Sequence, residues 1–212
     1  VLVRGKVERV VRGLIERGFE LTEFRGNAKT LNSTVTKLLA IKETQSAQVF
    51  DKLRFRFVER RSEDVPVFIL ALARELFPFN YVVPNHSDNS LVDLDRMLVR
   101  AGNLMVARGD GPELNEPHDS LSPEHANEFS GPSYRVSHFI TEVPLRIDEV
   151  IPFAGRRLEG RGSVVFSTVE FQVVDEATAR TNESGENRHS LYKARQIARV
   201  RERLERGKRQ KR

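Results

Sequence analysis

The chain contains no cysteine. That absence excludes disulfides, thiolate zinc sites and a cysteine nucleophile, and it suits a reducing compartment, so a cytoplasmic location is expected. No apolar run approaches the roughly 20 residues that a membrane-spanning helix needs, so no membrane partner is expected. The opening Val1-Leu2-Val3-Arg4 lacks the charged-then-apolar order of a secretory signal. Because it begins on Val rather than Met, the chain reads as a piece of a longer protein. The five histidines, His86, His118, His125, His138 and His189, fall into no HExxH or other short metal-binding spacing. No internal repeat is visible.

What is present suits a globular protein. The 212 residues are enough for one well-buried core, or at most two small ones, and 39% apolar with 31% charged residues is a globular balance. Positive charge is concentrated at one end. Residues 193–212 carry ten Lys/Arg against two Glu, a net of +8 against +5 for the whole chain, which leaves the body near −3. A basic tail of this kind suits an RNA backbone as a partner.

Periodicity outlines the elements. Apolar residues at Leu2, Val3, Val7, Val10, Val11, Leu14 and Ile15 predict a helix over 1–17, ended by Gly18. A second helix is expected over 30–40. Residues 50–58 alternate, with Leu53, Phe55 and Phe57 against Arg54 and Arg56, and read as a strand. Asp64 is expected to cap a helix whose apolar face runs through Phe68, Leu72 and Leu76, closed by Phe77-Pro78. A short strand is expected at 81–83, and two longer ones at 134–146 and 163–174, joined by a hairpin-like stretch containing Gly155, Gly160 and Gly162. The last helix starts near Glu176 or Glu186. This order predicts an α/β (α+β) protein with a single mixed sheet flanked by helices. Residues 1–195 form the expected domain, with an irregular insertion at about 101–133 rich in Gly, Pro, Asn, Asp and Ser. Residues 196–212 form a basic helical tail.

Four groups of residues can carry chemistry. Lys29, Ser33 and Lys37 recur every four residues, so on a helix they advance by about 40° per step and form one stripe suited to a triphosphate. Leu31, Val35 and Leu38 take the opposite side and are expected to anchor it. Asp51 stands at the mouth of the 50–58 strand, where a carboxylate can hold Mg2+ against phosphate oxygens. Arg54 and Arg56 share a face and can fork onto phosphate. Tyr134 and His138, four apart in a strand, can stack on a nucleobase and donate to a phosphate. Alternation from Val169 to Val173 puts Glu170 and Gln172 on one face, so Glu170 can complete a metal site or accept a proton from an attacking hydroxyl.

In this order the four groups resemble the synthetase domain of the RelA/SpoT alarmone synthetases. That family's ATP motif has Lys, Ser and Lys at four-residue steps, as at Lys29, Ser33 and Lys37. Its metal-binding Asp is followed five residues later by Arg, as are Asp51 and Arg56. Its stacking Tyr with a His four residues on matches Tyr134 and His138, and its Glu-x-Gln strand matches Glu170 and Gln172. The segment Glu183-Ser184-Gly185-Glu186-Asn187-Arg188-His189-Ser190-Leu191-Tyr192-Lys193 is similar to the family's E-x-G-x-x-x-H-x-x-Y-K.

The resemblance implies a nucleotidyltransferase-like fold and transfer of pyrophosphate from ATP to the 3′-hydroxyl of a nucleotide. It implies Lys29, Ser33, Lys37, Arg54 and Arg56 on the ATP phosphates, and Asp51 and Glu170 as catalytic residues holding Mg2+. Tyr134, His138 and Gln172 would face the acceptor, and His189 and Tyr192 would support the fold. The sequence departs from the family pattern at Asn27, where Arg is usual, and at Ser130 and Pro132-Ser133 just before the stacking Tyr. The acceptor therefore stays open between GDP or GTP, an adenine nucleotide and the 3′ end of tRNA. A nucleotide- or RNA-binding module without activity is the remaining alternative. His118-Asp119 spells a dipeptide of metal-dependent alarmone hydrolases, but it has no partner ligands in a helical domain and is left unassigned.

Overall fold

The computed structural model describes residues 2–28, 30–40, 53–83, 88–91, 129–131, 133–147 and 164–209. Lys29, Asp51, most of the 101–133 insertion and the glycines at 155, 160 and 162 lie outside the described residues. Helix α1, Leu2–Glu16, buries Val3, Val7, Val11 and Leu14, one stripe at three- and four-residue steps. Gly18 ends it in the left-handed region at φ 99°. Phe19 N–H donates to Leu14 O and Gly18 N–H to Ile15 O, the pair of bonds that closes a helix over a glycine.

Strand β1, Leu21–Ala28, is an element that alternation does not reveal. Leu21 and Phe24 are three apart, which regular pleating would send to opposite faces. A register shift between Leu21 and Glu23 in the pairing with β2 (Leu53–Glu59) inserts the missing step, and both side chains then reach the core. Gly26 sits opposite Phe55, whose ring would lie 2.7 Å from a Cβ at that position.

Helix α2 spans Leu31–Ala40 and α3 spans Asp64–Glu75. Asp64 is the first residue of α3 rather than its cap. Glu63 holds the cap position without a side-chain bond, and the Asp64 carboxylate instead accepts from Arg61 Nε at 2.9 Å. Nor is 81–83 a strand. Phe79–Tyr81 forms a 3-10 turn, and only Val82 bridges to Thr141. The other strands are β3 (Asp88–Asn89), β4 (Ser137–Arg146) and β5 (Val164–Asp175). Two helices end the described chain, α4 (Glu176–Asn182) and α5 (His189–Arg209). Asp175 caps α4 by accepting from Thr178 N–H at 2.9 Å. Ser184 is extended and Gly185 has φ 53°, so the two helices cannot merge into one.

The five strands form one mixed sheet in the order β1-β2-β5-β4-β3, with β2 and β5 parallel and the other pairs antiparallel. Its apolar face packs on α1 and α3. Phe171 lies at the centre, with ring centroids of Phe55, Phe57, Phe77 and Phe139 at 5.8, 6.0, 5.5 and 5.5 Å. No helix of the described residues is long and apolar enough to cross a membrane.

Candidate functional site

Strand alternation that sends Phe55, Phe57 and Phe171 into the core sends Arg54, Arg56, Glu170 and Gln172 to the other face. Register then decides which of them meet. Asn27, Arg54, Glu170 and Ile140 face one another across β1, β2, β5 and β4. One step along lies a row of polar residues, Arg25, Arg56, Gln172, His138 and Asp88, crossing all five strands at about 4.8 Å per strand.

Glu170 is the centre of this face. Its side chain is only 2% exposed, and its Oε1 meets Arg54 Nε at 2.9 Å, Gln172 Nε2 at 2.8 Å and His138 Nε2 at 3.3 Å. Burying a carboxylate is unfavourable unless donors converge on it, and here β5 itself and the strands on either side of it supply them. Arg56 lies between two further carboxylates, with Nε 3.5 Å from Glu23 and Nη2 3.2 Å from Glu183. Glu23 also holds Arg25, Nε to Oε1 at 3.1 Å. Arg54 and Arg56 do share a face, and each is held by an acidic side chain there.

Tyr134 precedes β4 and packs on the small apolar cluster of Val58, Val136, Val174 and Ala179. Burial raises its hydroxyl pKa, against the opposing pull of Arg56 and Arg54. Tyr134 and His138 thus both come near Glu170, one from the segment before β4 and the other from within it. The first turn of α5 closes on the site. His189 stacks on Tyr192, centroids 6.0 Å apart, and its imidazole pKa is lowered by burial, then by Lys193 and Arg54. Gln196 Nε2 donates to the Tyr192 hydroxyl at 2.9 Å.

The structure therefore brings Arg54, Arg56, Tyr134, His138, Glu170 and Gln172 together. Ser33 and Lys37 are half-buried on α2, a helix that packs along α5, where Arg203 Nη1 donates to Leu39 O at 2.5 Å. The expected anchoring of α2 by its apolar side is overturned. Leu31 is 76% and Val35 44% exposed, Leu38 alone of that side is half-buried, and Ala40 is the buried residue of the helix. Sequence reasoning missed Glu23 and Arg25, and it gave Glu183 no site role although the residue opens the family-like 183–193 segment. Arg25 is two residues from Asn27 and so shares its face, a signal that was legible only once 21–28 was known to be a strand. Several cations of the basic tail are engaged within the fold. Arg195 donates to Phe129 O and Glu186 O, and Arg199 and Arg206 pair with Glu202. Among the described residues no group of three or more His, Asp or Glu could hold a metal ion. Mg2+ commonly uses one or two carboxylates with phosphate oxygens and water. Glu170, buried on the polar face of the sheet, could supply one such carboxylate.

No protein-family model matches the chain, and no curated protein does. Among solved structures it is similar to the small alarmone synthetase 1 from Bacillus subtilis, at 16% identity over 100% of this chain and 93% of that one, with a TM-score of 0.47. It is similar to the same enzyme bound to its product pppGpp, at 13% identity over 99% and 90%, with a TM-score of 0.45. It is also similar to a GTP pyrophosphokinase family protein from Streptococcus pneumoniae, at 12% identity over 94% and 80%, with a TM-score of 0.46.

Proposed function

We propose that this chain is an ATP-dependent pyrophosphokinase, transferring the β,γ-pyrophosphate of ATP to the 3′-hydroxyl of a nucleotide. The observation that carries the reading is the convergence of Arg54, Gln172 and His138 on buried Glu170, with Arg56 and Tyr134 alongside. In this reading Arg54 and Arg56 exchange their carboxylate partners for phosphate oxygens, an exchange of one charge-assisted bond for another. Lys29, Ser33 and Lys37 extend that contact along the polyphosphate. The acceptor base stacks on Tyr134, His138 meets an acceptor phosphate, and Gln172 orients the ribose. Glu170 accepts the proton of the 3′-hydroxyl as its oxygen bonds to the β-phosphorus. The bond from that phosphorus to the α–β bridging oxygen breaks, and AMP leaves. In place of that proton-accepting role, Glu170 could join Asp51 in holding Mg2+, which would neutralise charge on the β- and γ-oxygens. The protein's own contribution is positioning and fixed charge.

The test incubates the protein with γ-labelled ATP and Mg2+, and separately with GDP, GTP, ADP, ATP or bulk tRNA. Label should move to one of these acceptors. Glu170→Gln should lower the rate by about 100-fold or more, the size expected for a positioned proton acceptor. Asp51→Ala should abolish transfer. If folded protein labels none of the acceptors, the reading is lost.

A further inference from the structure

We propose that Asn182 and Asn187 are positioning residues that hold Tyr134 ready for the acceptor base, an inference that rests on the function just proposed. The observation is a set of side-chain bonds sewing residues 129–135 onto the stretch from α4 to α5. Asn182 is 4% exposed and uses both ends of its amide on one residue. Arg135 N–H donates to Asn182 Oδ1 at 3.1 Å, and Asn182 Nδ2 donates to Arg135 O at 2.6 Å. That is the pairing a neighbouring strand would make, supplied by a side chain two residues before β4 begins.

Asn187, also buried, donates through Nδ2 to Ser133 Oγ at 2.9 Å and to Thr181 O at 3.4 Å. Arg195 completes the seam, with Nη1 donating to Phe129 O at 2.8 Å and Nη2 to Glu186 O at 2.9 Å. Gly131 lies so close to Asn187 that a Cβ there would collide with the amide oxygen. Its carbonyl accepts from Tyr134 N–H at 3.1 Å and closes a turn. Tyr134 is therefore fixed from both sides, by this turn before it and by the Asn182 bonds after it.

Two buried amides are a specific way to fix a segment that has not yet joined the sheet. Asn182 has both ends of its amide bonded to Arg135, and Asn187 adds its Nδ2 bond to Ser133, while its Oδ1 has no hydrogen-bond partner among the described residues. The bonds made favour one placement of residues 133–135 over others. A ring that stacks on a base gains affinity when its position is set in advance, since ordering it no longer opposes binding. α4 and the turn after it thus supply no atom to the acceptor and still decide where the acceptor's base sits.

The test labels the protein with 3-fluorotyrosine. It has three tyrosines, Tyr81, Tyr134 and Tyr192, and Tyr134→Phe identifies the Tyr134 resonance. In Asn182→Ala that line should broaden and move toward the free amino acid's position, while the Tyr81 line stays. Asn182→Asp, which keeps the acceptor for Arg135 N–H and loses the donor, should fall between. Asn187→Ala leaves both Arg135 bonds in place, should shift the line less, and serves if Asn182→Ala does not fold. An unmoved Tyr134 line in the folded variants overturns the proposal. In a second arm, the acceptor that the labelling assay identifies is titrated. It should move the wild-type Tyr134 line and bind about tenfold more weakly to Asn182→Ala. Equal acceptor affinity in the two proteins also overturns the proposal. A wild-type line that no nucleotide moves overturns base stacking, while the variant spectra still decide the positioning role.

Discussion

Two glutamates are buried on this sheet, and their surroundings set them apart. Glu170 is met by an arginine, an amide and an imidazole. Glu59, at the end of β2, is 0% exposed, and neither of its oxygens has a hydrogen-bond partner among the described residues. Burial, then the negative charges of Asp64 and Glu20, push its pKa up to about 7 from 4.5. The folded protein therefore keeps a proton that the unfolded chain has released. Stability should fall as pH rises from about 4.5 to about 7 and level off above that, by about 3 kcal/mol at most. Glu59→Gln removes this proton dependence, so it should raise Tm at pH 8 and leave it nearly unchanged at pH 4.5. Parallel Tm–pH curves for the two proteins would contradict the assignment. The alternation of Leu53, Phe55 and Phe57 continues to Glu59 and puts it on the inward face, but nothing local shows that its carboxylate would find no hydrogen-bond partner there.

At the scale of elements, α2 shows how a helix can be read correctly and still be oriented wrongly. Its span was legible from propensity and spacing, and so was the stripe of Ser33 and Lys37. Which stripe faces inward was not, because that depends on α5, more than 150 residues away. Leu31 and Val35 are exposed while Ser33 and Lys37 are half-buried on a helix that packs along α5. Leu31→Glu and Val35→Glu should each change stability by no more than about 0.5 kcal/mol in denaturant unfolding, as for other surface positions. A loss of several kcal/mol would restore the anchoring role to this side. β1 failed to show for a different reason. Its bulge between Leu21 and Glu23 breaks the two-residue period, so Leu21 and Phe24 look out of step until the strand is paired. The break between α4 and α5 was half legible, since Gly185 and Ser184 are visible in the sequence and either start of the last helix suited the spacing.

Across the whole molecule, core and site are two faces of the same strands. Phe171 sits between Glu170 and Gln172 on β5 and touches four phenylalanine rings on the opposite side. Phe171→Ala should cost about 3–5 kcal/mol in denaturant unfolding, the range for emptying a buried aromatic position. It should also loosen Arg54 against Glu170, because both ride on the strand pair that Phe171 holds in place. Unfolding free energy unchanged within error would show that the ring cluster is not the centre of the core.

Sequence alone determined the alternation in β2 and β5, the helical stripe of α1 and the polar character of 54, 56, 170 and 172. Those features follow from the covalent period of strand and helix, which is local. Tertiary structure decided that β2 and β5 run parallel and side by side, which sets Arg54 beside Glu170 and Arg56 beside Gln172. It also drew Glu23 and Glu183 onto Arg56 and placed Asn182 against Arg135. These contacts join residues far apart in the chain. No period encodes them, because strand order and register are settled by which packing buries the phenylalanine face while bringing opposite charges together on the other face.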